Sequence, residues 1–210
     1  MNTKKVLAEF IGTAALIFIG AGAGALGVGG LVGVALAHGL VIVSMAYSFG
    51  AISGAHINPA VTLAVALSGG LKWAEAVWYW VAQFLGGTFG AAALFFVLGG
   101  ADSGLGATVP AQGVTPLQAI VLETLLTFLL ANVILHTTSK KTSTEFAGLA
   151  IGLTLVAAIL MGGPLTGASL NPARTLGPAL FTGTLNVFWI YLVGTGAGAA
   201  LAAVVHRSLK

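Results

Sequence analysis

The stretches Ser53-Gly54-Ala55-His56-Ile57-Asn58-Pro59-Ala60-Val61-Thr62 and Thr166-Gly167-Ala168-Ser169-Leu170-Asn171-Pro172-Ala173-Arg174-Thr175 each place the tripeptide Asn-Pro-Ala inside a long apolar run. Pro is well placed at the first position of a helix, where its missing N–H needs no partner. Each tripeptide therefore reads as a helix start in the middle of apolar sequence. A helix start buried in hydrocarbon leaves backbone N–H groups unpaired, which is expensive. Two such starts in one chain imply that something polar is meant to be there. The simplest candidate is a permeating molecule.

Working outward, the chain of 210 residues is 58% hydrophobic and only 6% charged, against about 25% charged in a soluble domain. Not one Asp, Glu, Lys or Arg falls between Phe10 and Leu71. The chain is a polytopic membrane protein, and its spans leave no length for a soluble domain. No basic cluster is dense enough for nucleic acid. With no Cys, disulfides and thiolate metal sites are excluded. No cofactor, metal cluster or nucleophile–base pair is implied, so an enzyme has no support. Lys4-Lys5, an apolar run and Ala21-Gly22-Ala23 imitate a secretory leader. Glu9 falls inside that segment and has a counterpart later in the chain, which favours a first span.

Six full spans are expected, at about 6–26, 33–52, 75–98, 116–136, 146–163 and 186–205. Two apolar pieces remain, near 58–68 and 171–181. Each has about 11 residues, which at about 1.5 Å per residue reach half of a ~30 Å core. These are the segments that begin with Asn-Pro-Ala. Glu9-x-x-x-Thr13 recurs as Glu123-x-x-x-Thr127, Gly54-Ala55 as Gly167-Ala168, and Thr62 as Thr175. The near-constant offset marks an internal duplication, with repeats at about 1–98 and 116–210. Three spans in each half force the second half to enter from the opposite side, giving an inverted repeat. The fold class is thus all-α membrane protein, six transmembrane helices plus two re-entrant half-helices.

Seven of the eight basic residues, Lys4, Lys5, Lys72, Lys140, Lys141, Arg207 and Lys210, fall at ends of apolar segments. They agree with both termini lying in the cytoplasm. Lys140 to Thr144 reads as a solvated charged turn, with a regulated inner loop as the alternative. Gly20-x-x-x-Gly24, Gly86-x-x-x-Gly90 and Gly194-x-x-x-Gly198 read as close helix crossings. Trp73, Trp78, Tyr79, Trp80, Trp189 and Tyr191 serve as interfacial or packing aromatics.

The two half-helix N-termini bring their positive dipole ends to the midplane, where Asn58 and Asn171 add side-chain donors. Helix capping alone is the plainer role of these Asn. The loops before them, Gly54, Ala55, His56 and Gly167, Ala168, Ser169, should expose carbonyls to a wet cavity. Arg174, the single cation inside an apolar segment, is a candidate for the pathway wall. Glu9 and Glu123 read either as a proton relay or as structural acids accepting loop N–H groups. Their symmetric placement favours the structural role.

The motifs Ser-Gly-Ala-His-Ile-Asn-Pro-Ala-Val-Thr and Gly-Ala-Ser-Leu-Asn-Pro-Ala-Arg-Thr-Leu-Gly-Pro-Ala resemble the aquaporin (major intrinsic protein) family, and the resemblance covers essentially the whole chain. It implies a single channel domain over residues 1–210, a pore in each subunit, a homotetramer, and a location in the cell (plasma or inner) membrane. It also implies a selectivity filter that maps onto His38, Ile159, Ala168 and Arg174. Strict water channels of the family resemble Phe in span 2 and His in span 5. The set found here looks like the filter of plant tonoplast intrinsic proteins, associated with water plus ammonia, urea or similar solutes. Thr175 and Ala179 side with the aquaporins, whereas Leu192 resembles the glycerol channels and Thr195 stands where many relatives have Pro.

The expected function is a passive channel for water and small neutral solutes (ammonia, urea, glycerol) that excludes protons and ions. The alternative is a proton-coupled secondary transporter, since inverted repeats with broken helices occur there too. A structural junction protein is a third reading, against which the filter Arg and both Asn argue.

Overall fold

The computed structural model of the chain describes residues 2–139 and 144–209. Lys140, Lys141 and Lys210 lie outside the described residues, as does most of the charged turn ending at Thr144. Six helices of 20 to 26 residues are long and apolar enough to cross a bilayer. They are α1 (Thr3–Leu26), α2 (Gly30–Ser53), α4 (Trp73–Leu98), α5 (Pro116–Thr137), α6 (Ala147–Thr166) and α8 (Leu185–Ser208). Between them sit two short helices, α3 (Pro59–Leu67) and α7 (Pro172–Thr182). Among the described residues there is no strand.

The boundaries follow local chemistry. Asn58 and Asn171 are N-caps in extended conformation, so each half-helix begins at its Pro, one residue later than expected. Asn2 caps α1, with Oδ1 accepting from Lys4 N at 3.1 Å, and starts that span earlier than expected. The fifth span runs past Pro164 to Thr166 rather than stopping at 163. Pro164 removes one donor only, and the helix ends at Gly167, where φ is +76°. The first span holds a feature that periodicity did not reveal. Residues Leu16–Ala21 form a π-helical turn, with Gly22 N–H donating to Ile17 O, five residues back.

α1 packs on α4, α5 on α8, and α2 on α6. Each half-helix also crosses to the other repeat, α3 against α8 and α7 against α4, so the repeats interlock. Gly86 and Gly90 let α4 approach the α1 backbone; a Cβ on Gly90 would sit 2.5 Å from Ala14 O. Gly194 and Gly198 do the same for α8 on α5, a Cβ on Gly198 falling 2.8 Å from Phe128 N. The third motif differs. Gly20 faces the imidazole of His38, and Gly24 faces Gly106 in the loop after α4. The aromatics divide too: Trp73, Trp78 and Trp189 are exposed, whereas Tyr79 and Tyr191 are fully buried.

Lys5 Nζ pairs with Glu75 at 2.7 Å, and Arg207 donates to the carbonyl of Leu67 at the end of α3. These contacts gather both terminal helices and the loop at Lys72 at one end of the bundle. Apolar side chains such as Leu7, Leu85, Phe96, Leu117 and Leu153 cover its outside, as hydrocarbon demands.

Candidate functional site

The two loops ahead of the half-helices are built alike. Gly54 and Gly167 end α2 and α6 with φ +88° and +76°. Four residues that carry side chains then adopt left-handed backbone: Ala55 and Ile57, and Ala168 and Leu170, with φ between +42° and +52°. Each costs about 1–2 kcal/mol. The buried acids oppose that cost. Glu9 Oε1 accepts from Ser53 Oγ at 2.6 Å and His56 N at 2.9 Å; Oε2 accepts from Ile57 N at 2.6 Å and Gln83 Nε2 at 2.8 Å. Glu123 Oε1 accepts from Thr166 Oγ1 at 2.7 Å and Ser169 N at 2.9 Å; Oε2 accepts from Leu170 N at 2.8 Å. Hydrogen bonds to such groups are worth about 1.5–3 kcal/mol each, enough to hold the strained backbone. Both side chains are fully buried.

The repeats differ in one donor. Tyr79 OH donates to Ser53 O and Tyr191 OH to Thr166 O, both at 2.7 Å. Four residues after Tyr79, Gln83 reaches Glu9; four after Tyr191, Thr195 instead turns its hydroxyl to Tyr191 O at 2.7 Å. Sequence reading missed Tyr79, Tyr191 and Gln83 as parts of the site. Their signal was present, because a repeated Tyr and a buried amide are unusual in apolar spans.

The motifs meet through their asparagines. Asn58 Oδ1 accepts from Ala60 N at 2.8 Å and Val61 N at 3.4 Å, while Nδ2 donates across the repeats to Leu170 O at 2.8 Å. Asn171 mirrors it: Oδ1 accepts from Ala173 N at 3.0 Å and Arg174 N at 3.2 Å, and Nδ2 donates to Ile57 O at 3.0 Å. Each amide is thus both a helix cap and a tie between loops. One of its two N–H hydrogens is committed to the tie, which the sequence reading did not anticipate.

A cavity of about 990 Å³ runs past both motifs. One end is lined by His38, Ile159, Ala168 and Arg174. Gly54, Ala55, His56, Asn58, Ser169 and Asn171 follow along its wall. The other end reaches Ser68, Gly69, Thr138 and Thr144. Pro59, Ala60, Pro172 and Ala173 are buried behind the asparagines, and Gly167 lies against Thr108 rather than on the wall. His38 Nδ1 is 2.9 Å from Val34 O. That carbonyl can only accept, so Nδ1 carries a hydrogen, and in the neutral ring Nε2 is the acceptor. Nε2 has no protein partner. Arg174 Nη1 donates to Gly106 O at 2.6 Å, and its Nε has no protein partner. Among the described residues Arg174 forms no ion pair. Gly106 belongs to the loop between α4 and α5, which carries Asp102 and no Lys or Arg. Among the described residues no group of three or more His, Cys, Asp or Glu is placed to hold a metal.

A six-span bundle with two capped half-helices meeting beside a continuous cavity defines a membrane channel. The family model for major intrinsic proteins matches residues 1–206, and the chain belongs to that family. It is 41% identical to Aquaporin Z of Rhodopseudomonas palustris over 228 residues, covering 100% of this chain and 95% of that one. It is also 41% identical to glycerol uptake facilitator protein-like 6 of Lactiplantibacillus plantarum, covering 97% of each. Aquaporin AqpM of Methanothermobacter thermautotrophicus is 40% identical, with 99% of this chain and 97% of the relative covered. The fold matches the X-ray structure of the aquaglyceroporin from Plasmodium falciparum with a TM-score of 0.89 at 24% identity, covering 100% of this chain and 97% of that one. The chain is accordingly an integral membrane channel for water or small solutes, and not an enzyme.

Proposed function

We propose that the channel conducts water together with small neutral solutes of the ammonia, urea and glycerol class, and that it excludes protons and ions. The observation that carries this reading is the convergence of His38, Ile159, Ala168 and Arg174 on the wall of the cavity that also passes Asn58 and Asn171. His38 and Arg174 bring polar side chains to that wall, which suits water, ammonia and urea because they accept and donate at once. Ile159 makes the adjoining wall apolar, and Ala168 leaves it open. Arg174 repels cations. His56 and Ser169 give their N–H groups to Glu9 and Glu123. The carbonyls of Gly54, Ala55 and His56, and of Ala168 and Ser169, are then the acceptors of a single-file path.

At the midplane, Asn58 and Asn171 each keep one side-chain hydrogen beyond the cross-tie. With the half-helix dipoles behind them, they orient a passing water as acceptor in both directions and break a proton wire. The coupled-transporter alternative needs a titratable group in the path. Of the three candidates His38 lines the cavity, whereas Glu9 and Glu123 do not and are spent on loop N–H groups. We also propose that the chain works as a homotetramer in the cell membrane with both termini cytoplasmic.

Stopped-flow light scattering on proteoliposomes tests the solute range. An impermeant sucrose gradient should give fast protein-dependent shrinkage, and a urea gradient should give protein-dependent re-swelling, neither altered by a pH gradient. Urea uptake no faster than in empty liposomes would restrict the pore to water. Dependence on the pH gradient would revive the transporter.

A further inference from the structure

The π-helical turn of the first span sits behind the filter end of the cavity. Its adjacent residues Gly20 and Ala21 face the two elements that hold the polar filter side chains. A Cβ built on Gly20 would lie 2.6 Å from His38 Cδ2 and 2.8 Å from Cγ and Nε2. The bare Cα of Gly20 is therefore the floor on which the imidazole rests. A Cβ on Gly106 would lie 2.9 Å from Ala21 Cα. Gly106 is the residue whose carbonyl receives Arg174 Nη1. One turn of α1 thus supports the His38 ring directly and Arg174 through the loop.

The other repeat lacks this turn. Glu9 and Glu123 occupy matching positions, and the same offset carries Gly20 onto Ile134, a bulky residue in the regular helix α5. The departure from inverted symmetry thus falls on the repeat that backs the filter end. π-turns carry one extra residue and cluster at functional positions.

We infer that Gly20, set by the π-helical turn Leu16–Ala21, is a positioning residue that fixes how far the His38 ring projects into the pathway, and so sets the size cut-off for solutes. This rests on the reading of His38 as a filter residue. The ring is tethered at Nδ1 to Val34 O and backed by Gly20, so a methyl group at position 20 has one direction in which to displace it, toward the cavity. The constriction then narrows against Ile159, Ala168 and Arg174. Water passes with less loss than a planar solute such as urea.

The test measures urea and water permeability, each per folded channel in proteoliposomes, for wild type, Gly20→Ala, His38→Ala and the double variant. Gly20→Ala should lower the urea-to-water ratio by about threefold to tenfold, the scale of forcing one side chain off its rotamer. His38→Ala should raise the ratio. The double variant should match His38→Ala, because no ring is left to displace. A raised ratio for His38→Ala with an unchanged ratio for Gly20→Ala overturns the inference and leaves the filter intact. An unchanged ratio for His38→Ala removes His38 from the filter, and the inference falls with it. If Gly20→Ala alone does not assemble, truncating the ring must restore both assembly and conduction. A double variant that still fails to assemble also overturns it.

Discussion

Arg174 illustrates how little at the residue scale is settled by residue type. Its place one helical turn after Asn171 marks it as a candidate from sequence, because an intramembrane cation without a nearby acid needs a reason. What it touches was not legible. Gly106, whose carbonyl takes its Nη1, is 68 residues away in a loop with no Lys or Arg and no obvious motif. The geometry leads to an expectation for Arg174→Val. With no ion pair to break, the substitution removes a positive charge from the pathway without stranding a buried acid. Permeability to cations or to larger solutes should rise, on the order of tenfold for each ~1.4 kcal/mol of barrier removed. Reconstituted channels assayed for urea, glycerol and potassium flux would read this directly. Unchanged selectivity for all three would take Arg174 out of the filter.

At the scale of an element, the re-entrant loops are the instructive case. Asn-Pro-Ala announces a helix start through local chemistry, and both starts were found within one residue. The path of the loops ahead of them depends on partners far along the chain. Glu9 lies 48 residues from Ile57, and Glu123 lies 47 from Leu170. Removing either acid leaves several buried donors unpaired, at about 1–3 kcal/mol each. Glu9 serves four donors and Glu123 three, because Gln83 has no acting counterpart in the second repeat. Both Glu9→Leu and Glu123→Leu should lower the thermal midpoint in detergent and abolish water conduction, with Glu9→Leu the more damaging. A stable, conducting Glu9→Leu protein would show that the loop does not depend on the carboxyl group. The π-helical turn was missed for a different reason. A single extra residue in an apolar helix barely changes its hydrophobic pattern, and Gly20 looked like any other small residue in a crossing motif.

For the whole molecule, interlocking is the controlling feature. Each half-helix packs on a span of the other repeat, and each motif's Asn ties the opposite loop, so neither repeat has a finished half of the site. The proposed homotetramer adds a further level. Chemical cross-linking or native mass spectrometry of the detergent-extracted channel should give four copies of the 20.9 kDa chain. A stable monomer that conducts equally well would reject the tetramer without touching the pore, because the cavity lies within a single chain.

The sequence by itself determined the six spans, the two half-helices and their inverted repetition. It could do so because polar groups in hydrocarbon are costly and therefore conspicuous, and because capping and helix-start chemistry act over a few residues. Only the tertiary structure decided which donors Glu9 and Glu123 hold, that Asn58 and Asn171 each give a hydrogen across the repeats, and that Gly20 and Gly106 stand behind His38 and Arg174. Those contacts join residues that local rules cannot connect, and their geometry exists only once the spans are packed.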